Sequence, residues 1–320
     1  MAAITYRDAT LDDAELAADI MTASFPALPQ DPVVTRYRWE QSRAGFAVGR
    51  YIAETDGRPI AFLAWRHGPW AELPDRDSEV EVWLDQSMLG HNLLKPMWSW
   101  IEARALREGA CTLVAYAGEG ETEMLDALAA LGYMRDRLDR VWKLDLTVHG
   151  PRLVDEARQA RDRMRVESIE LITLADWHDP GAMRKLHDLN GRTEQDVPHS
   201  LPILAEPFED FERRVAAPDR RPDRWWIALR GDLPVAMSYL KFPPVRGSVF
   251  TGYTCSDPAY RGRGIARAVK LQTLAQAVEL GVRFVHTDND SENAPMLHIN
   301  ETLGYQLQPG FVQHLKRVPK

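Results

Sequence analysis

The sequence predicts an α+β protein made of two similar halves, each with a mixed, largely antiparallel twisted sheet flanked by helices. The chain has 320 residues, more than the ~100 to 200 of a typical domain. Two segments recur: "YIAETDGRPIAFLA" (51–64) is matched by "WIALRGDLPVAMSY" (226–239), and "EMLDALAALGYM" (123–134) by "PMLHINETLGYQ" (295–306). The matches keep their order and have offsets of 175 and 172, which indicates a tandem repeat.

Composition excludes several classes of protein. The net charge is -8, whereas nucleic-acid-binding domains usually carry a basic excess, so we expect no nucleic-acid partner. Two cysteines far apart predict neither a disulfide nor a zinc site. The N-terminus lacks the pattern of a signal peptide, and no run approaches the ~20 apolar residues of a membrane span. We therefore expect a cytoplasmic monomer or homodimer with no membrane partner.

The first half begins with a predicted strand near residues 3–7. The segment 51–64 has two apolar runs around a Gly/Pro turn, which is typical of a β-hairpin. "EVEVWLD" (79–85) alternates apolar and polar residues and predicts a further strand. The repeated segment 123–134 follows as a helix that ends at Leu-Gly-Tyr.

A connecting helix is predicted between the halves. Gly150-Pro151 opens it, and apolar residues from Leu153 to Met164 recur at helical spacing among many charges. This gives a first domain at 1–147, a connecting helix at 148–165 and a second domain at 166–320.

The second half repeats this order, with a strand near 167–172 and a hairpin at 226–239. "SVFTGYTCSD" (248–257) is a strand, and the helix 265–281 that follows ends at a glycine. "VRFVHTD" (282–288) is the next strand. A strand–helix–strand unit predicts a right-handed crossover and a local parallel pair.

The turn "RGRG" before the helix 265–281 carries the strongest chemical signal. Gly262 and Gly264 permit backbone conformations in which successive N–H groups converge on an anion. The helix that follows adds free N-terminal donors, and Arg261 and Arg263 add charged ones. The turn therefore predicts a phosphate site, although the Walker pattern is absent and the fit to a dinucleotide fingerprint is poor.

The sequence resembles the GNAT superfamily of acyl-CoA-dependent N-acyltransferases. "RGRGIA" fits the family signature R/Q-x-x-G-x-G/A, with Arg261, Gly264 and Ala266 at the defining positions. "NAPMLHINETLGYQ" is similar to the family's N-x-x-(A/M)…LGY/F segment, with Asn293 at its start. The resemblance is strong over 225–310, and the repeat extends a weaker one across the chain.

The resemblance implies an N-acetyltransferase that moves acetyl from acetyl-CoA to the amine of a small molecule by direct attack on the thioester, without a metal. In the family, loop amides hold the pyrophosphate and the preceding strand pairs with pantetheine, while an amide near Ser256 would polarise the thioester carbonyl. The implied cofactor residues are Thr254, Cys255, Ser256, Arg261, Gly262, Arg263, Gly264, Ile265, Ala266 and Asn293.

The catalytic residues are less defined. Asn300 stands where many members have a tyrosine that protonates the leaving thiolate; an amide cannot be that acid, but it can stabilise a thiolate. The alternative is that Asn300 only caps or packs within the last helix. Asp288, His286 and Tyr253 are candidates for the group that takes the proton from the amine, although each also fits a structural role.

At an offset of 172 the first half has lost the cofactor positions. Leu89 replaces Arg261, Asn92 replaces Gly264, Glu121 replaces Asn293 and Leu128 replaces Asn300. Without the second glycine we expect no ready phosphate site. The first half is therefore predicted to be a degenerate copy with a structural or acceptor-shaping role; an intact domain with an unusual cofactor loop is the alternative.

Glu194 and Asp196 are candidate contacts to a cationic acceptor, or else part of a solvated face. Two other functions stay open: a non-catalytic acyl-CoA sensor, which the missing tyrosine allows, and an acyltransferase that modifies proteins.

Overall fold

The computed structural model describes residues 3–318. The elements of the first half follow the predicted order. They are β1 (Thr5–Asp8), α1 (Ala14–Ser24), α2 (Pro32–Glu40), β2 (Ala47–Thr55), β3 (Arg58–His67), β4 (Asp77–Leu84), α3 (Leu94–Arg107), β5 (Thr112–Gly118), α4 (Thr122–Ala130) and β6 (Met134–Asp145).

The second half has the same layout after a long helix, α5 (Leu146–Val166). Its elements are β7 (Glu170–Thr173), α6 (Ala182–Glu194), α7 (Phe208–Val215), β8 (Trp225–Arg230), β9 (Leu233–Lys241), β10 (Val249–Ser256), α8 (Ile265–Glu279), β11 (Phe284–Asp290), α9 (Ala294–Leu303) and β12 (Gln306–Arg317). β4 begins at residue 77 and β10 at 249, an offset of 172, which also separates β5 from β11 and β6 from β12.

The strands of residues 3–318 form one 12-stranded sheet in the order β1-β2-β3-β4-β5-β12-β6-β11-β10-β9-β8-β7. β6 of the first half pairs with β11, and β12 of the second half pairs with β5. The α+β class and the mixed, mostly antiparallel pairing are confirmed. The two predicted sheets, however, are one, because each half is completed by the last strand of the other.

The connecting helix begins earlier than the sequence predicted. The Asp145 carboxylate accepts the Thr147 N–H at 2.9 Å and caps α5, which begins four residues before Gly150. Pro151 therefore lies inside the helix. A Cβ on Gly150 would come within 3.1 Å of Val278, so the glycine lets α5 pack closely on α8. The predicted domain boundaries remain predictions, and strand pairing joins residues on both sides of them.

The helices cover both faces of the sheet. On one face, α5 and α8 bury the core of the second half, and α3 buries that of the first. On the other face, α1 lies over the first half, and α6 and α7 cover the second through Leu186 and Phe211. No helix within the described residues is long and apolar enough to cross a membrane.

Candidate functional site

The predicted phosphate turn has the backbone conformation that an anion site requires. Gly262 and Gly264 have φ angles of 75° and 74°, in the left-handed region, and Gly264 immediately precedes α8. A Cβ at either position would meet no atom within 4 Å. The turn is therefore uncrowded on its glycine side, and together with the free N-terminal amides of α8 it fits the phosphate oxygens of a cofactor.

Both arginines of the turn pair with carboxylates. Arg261 Nη2 lies 2.5 Å from Asp196 Oδ2, and its Nε donates to the Ser256 carbonyl at 3.3 Å. Arg263 Nη2 lies 2.9 Å from Glu167 Oε2. All four side chains are more than a third exposed. Such pairs contribute little stability, so either guanidinium can exchange its carboxylate for a phosphate.

β10 and β11 separate beside this turn. Their parallel pairing comprises Val249 with Val285 and Phe250 with His286. From Thr251 to Ser256, β10 pairs with β9, and within residues 3–318 its other edge has no ladder partner. Free backbone donors and acceptors along an open edge fit an extended amide-bearing chain such as pantetheine.

The side chains around this edge serve packing. The Thr254 hydroxyl bonds across to β9 at 2.8 Å. Cys255 is buried, and burial raises the pKa of its thiol to about 11, so the thiol is not a nucleophile at neutral pH. Ser256 is half-buried at the end of the strand. Ile265 is fully buried and Ala266 half-buried, so they fix the start of α8.

Asn293 occupies the N-cap of α9. Its side-chain oxygen accepts the Met296 N–H at 3.4 Å. Among the described residues its amide NH₂ makes no hydrogen bond, so it can still donate to a cofactor. Capping and cofactor contact are therefore compatible for this residue.

Asn300 lies deeper than a group in contact with the cofactor should. It is 0% exposed; its Oδ1 accepts from Lys270 Nζ at 2.8 Å, and its Nδ2 donates to Asn289 Oδ1 at 2.6 Å. Lys270 is also fully buried, and burial lowers its pKa to about 7. This arrangement favours the packing alternative, and the predicted contact of Asn300 with the thiolate stays a prediction.

Asp288, His286 and Tyr253 lie on the face of the sheet that α6 and α7 cover. Asp288 reaches solvent, but the surrounding protein limits its hydration and raises its pKa, while Lys241 opposes that shift. Burial and the Lys143 charge lower the pKa of His286. The Tyr253 hydroxyl bonds to Thr193 at 3.2 Å. The role of any of the three in taking a proton from the acceptor stays a prediction.

The two predicted acceptor contacts have different surroundings. Asp196 pairs with Arg261 at the cofactor turn. Glu194 is half-buried, and burial together with repulsion from Glu206 raises its pKa. Their acceptor role remains a prediction.

Two adjoining cavities open between the halves on this same face. The larger, about 620 Å³, lies between α2 and β3 of the first half and the segment 201–220 of the second. The smaller, about 210 Å³, is lined by α2, by the end of β9 and by Phe250. Arg38 lines both. The cleft thus runs from the first half to the strand that pairs with β11.

The first half keeps the shape of the cofactor turn. Gly90 and Asn92, the counterparts of Gly262 and Gly264, have φ angles of 80° and 56°. The backbone shape persists without a second glycine, because asparagine tolerates the left-handed region; the expected lack of a phosphate site in the first half stays a prediction. The Gly90 N–H, however, donates to Glu123 Oε2 at 2.9 Å. A carboxylate of the chain itself therefore occupies this turn.

Sequence reasoning missed Lys270, Arg38 and Lys241. Lys270 has a readable signal, since it lies four residues after Ala266 and four before Leu274 on the apolar face of α8. Arg38 and Lys241 have none, because their proximity depends on how the halves are arranged.

Comparisons with known proteins agree with this geometry. Residues 185–305 match the Acetyltransferase (GNAT) family. A mycothiol acetyltransferase of Thermobifida fusca (strain YX) is 24% identical over 279 residues, which cover 84% of this chain and 82% of that protein. A tandem GNAT protein from the clavulanic acid biosynthesis pathway has a TM-score of 0.76 at 15% identity over 99% of both chains. A GCN5-related N-acetyltransferase from Sphaerobacter thermophilus has a TM-score of 0.71 at 18% identity over 99% of this chain and 96% of that one. In sequence over residues 185–305 and in fold over nearly its whole length, the chain is therefore similar to tandem GNAT acetyltransferases.

Proposed function

We propose that this acetyltransferase moves acetyl from acetyl-CoA to the amine of a small molecule, and that residues 166–320 hold the cofactor. GNAT acetyltransferases use acetyl-CoA. One observation carries the proposal: the open glycine turn, the unpaired edge of β10 and the exposed Asp288 belong to three consecutive elements of one half. They can serve the cofactor, its thioester and the acceptor in turn.

The residues present fit the cofactor. Amides at Gly262 and Gly264 and at the start of α8 would hold the pyrophosphate, and the free edge of β10 would pair with pantetheine. Bound acetyl-CoA supplies an activated thioester carbonyl. The backbone N–H near Ser256 would donate to that carbonyl oxygen as negative charge develops on it.

The acceptor amine must be neutral when it attacks. We assign the removal of its proton to Asp288, whose raised pKa makes it a better base than an ordinary carboxylate. The acceptor nitrogen forms a bond to the carbonyl carbon as the carbon–sulfur bond breaks. The proton that the nitrogen loses is balanced by the one that the thiolate gains, so no other reactant is required.

Two features support a small acceptor. The cleft is walled by both halves, and its cavities measure about 620 and 210 Å³, the size range of small-molecule sites. One relative carries the name mycothiol acetyltransferase. A protein acceptor would need a flatter surface.

A thiol-release assay with acetyl-CoA against an amine library tests the proposal. We expect turnover with at least one amine, and we expect Gly264→Val to abolish cofactor binding because a β-branched residue is strained at φ 74°. Asn92→Val, at the same position of the first-half turn and also at a positive φ of 56°, is the matched control and should bind normally.

Cofactor binding without turnover on any amine would support the sensor alternative instead. Normal binding by Gly264→Val, with the fold intact, would contradict the assignment of the turn.

A further inference from the structure

Two cations from opposite halves share the smaller cavity. Arg38 extends from α2, and Lys241 ends β9; both line the cavity of about 210 Å³. Within residues 3–318, neither side chain makes a hydrogen bond or an ion pair. Arg38 is exposed to the cavity and Lys241 is half-buried. Both charges are therefore available to bind an anion through charge-assisted hydrogen bonds.

Asp31 and Asp219, the carboxylates that line this cavity, are bonded to other groups, and Asp288 attracts Lys241 without a hydrogen bond to it. Asp31 accepts hydrogen bonds from four backbone amides, two in α2 and two in the loop after β9. Asp219 bonds to Arg220 at 2.6 Å. Burial and repulsion from Arg220 and Arg38 lower the pKa of Lys241 to about 8. An anion from outside would relieve this repulsion.

The larger cavity, of about 620 Å³, is also rich in positively charged side chains. Seven arginines and four carboxylates line it, although the whole chain has a net charge of -8. Arg214 and Arg66 are paired with Glu206 and Glu79. Arg50 makes no ion pair in the part of the chain that the structure describes and lies over the Trp39 ring. Positive charge is therefore concentrated in this cleft.

The unpaired cations lie near the proposed site of transfer. Phe250 pairs in register with Lys241 on one side and with His286 on the other, so the three share one face of the sheet. Neighbouring strands are ~4.8 Å apart, which separates the backbones of Lys241 and His286 by about 10 Å. Asp288 is two residues further along on that face. One small molecule can reach both places.

We propose that the acceptor is a small amine that also carries an oxyanion, a carboxylate or a phosphate, which Arg38 and Lys241 bind together. This rests on the proposed acetyl transfer and names its substrate class. The amine would lie by Asp288 and the anion by the two cations. Arg38 also gives the first half a direct role, because it would bind the same anion as Lys241 of the second half.

Matched acceptors test this class. β-Alanine and 4-aminobutyrate would be compared with their carboxamides, and 2-aminoethylphosphonate would distinguish a phosphate-like group from a carboxylate. Thiol release would be measured for the native protein, Arg38→Gln and Lys241→Gln. We expect a KM about 10- to 100-fold lower for the anionic amines, the range for loss of a charge-assisted hydrogen bond. Each variant should raise the KM for anionic amines and leave that for carboxamides unchanged.

Arg36→Gln is the matched control, since Arg36 lies on the same helix but pairs with Asp12 and Glu40 at the surface. Equal or better turnover of the carboxamides, or the same effect of Arg36→Gln and Arg38→Gln, would overturn the proposal.

Failure of the proposed acetyl transfer can be distinguished from failure of the proposed anion site. If no amine of either set is acetylated, calorimetry with the same compounds tests the anion site alone. Saturable binding of β-alanine or 2-aminoethylphosphonate that Arg38→Gln abolishes supports the site. Absence of binding to the native protein overturns it.

Discussion

A buried lysine and a buried asparagine distinguish the core of the second half from that of the first. Lys270 and Asn300 correspond, at an offset of 172, to Trp98 and Leu128, and all four are at most 1% exposed. The fold thus accepts apolar residues at both positions. Burying an ammonium group costs free energy even when it has a partner, so the polar pair is a property of the second half alone.

Breaking this pair should destabilise the protein. Asn300→Ala leaves Lys270 Nζ and Asn289 Oδ1 without their partner, so we expect a loss of ~1–3 kcal/mol in the free energy of unfolding. Turnover per folded molecule should change little, because both ends of the amide are engaged inside the protein. Urea unfolding and thiol release would be measured on the same sample. A catalytic role for Asn300 would be supported instead if stability is unchanged and turnover falls on the order of 10²-fold, as for loss of an oxyanion donor.

Replacing the pair by apolar residues should change how stability depends on pH. Burial lowers the pKa of Lys270 to about 7 from 10.5, so between these values the unfolded chain binds a proton that the folded chain lacks. Stability contributed by this group therefore rises with pH across that window and is lowest below pH 7. Lys270→Met with Asn300→Leu should remove the slope and stabilise by ~1–4 kcal/mol near neutral pH.

Urea unfolding from pH 6.5 to 9.5 measures that slope. Lys95→Met, an exposed lysine on α3, is the control and should leave the slope as in the native protein. Parallel curves for the native protein and the double variant would show that Lys270 stays charged when folded.

At the level of elements, the turns before α8 and α3 share one backbone shape but differ in what contacts their amides. Both have two left-handed residues ahead of a helix. In the second half the turn is open, whereas in the first half Glu123 of α4 accepts the Gly90 N–H. The substitution of Arg261 by Leu89 and the carboxylate at Glu123 both oppose an incoming phosphate.

Removing that carboxylate should expose a second anion site. The native protein should bind one CoA per chain, and Glu123→Ala should bind a second one more weakly, because the left-handed turn remains while its internal anion is gone. Isothermal titration calorimetry with CoA measures both stoichiometries. Asp126→Ala removes an exposed charge from the same helix and should keep one site. Two sites in the native protein, or one in Glu123→Ala, would contradict this account.

Over the whole molecule, the sequence was informative where structure is local. The hairpins, the helix after "RGRG" and the repeat were predictable because each is encoded within a few residues. The exchange of β6 and β12 between the halves was not predictable. The sequence of β6 is compatible with pairing to β5 of its own half as well as to β11. The cleft cations were missed for the same reason: Arg38 and Lys241 are about 200 residues apart in sequence and meet only through the shared sheet.

The exchanged strands should make the two halves unfold together. β12 belongs to the second half but pairs with β5 of the first, and Lys316 on it bonds to Glu102 of α3 at 2.7 Å. Val312 on β12 is 2% exposed, so Val312→Ala should cost ~1–3 kcal/mol and lower the unfolding midpoint of both halves equally. If the halves unfolded independently, Val312→Ala would lower the unfolding midpoint of the second half alone.

Fluorine NMR of fluorotryptophan-labelled protein in urea separates these outcomes, because Trp98 and Trp225 are buried in different halves. We expect their native resonances to disappear at the same urea concentration in the native protein and together at a lower one in Val312→Ala. Val33→Ala, at an exposed valine of α2, controls for the substitution and should move neither midpoint by more than ~0.5 kcal/mol. A Trp98 midpoint that is unchanged in Val312→Ala would mean that pairing between β12 and β5 contributes nothing to the stability of the first half. The shared sheet would then join two units that fold separately.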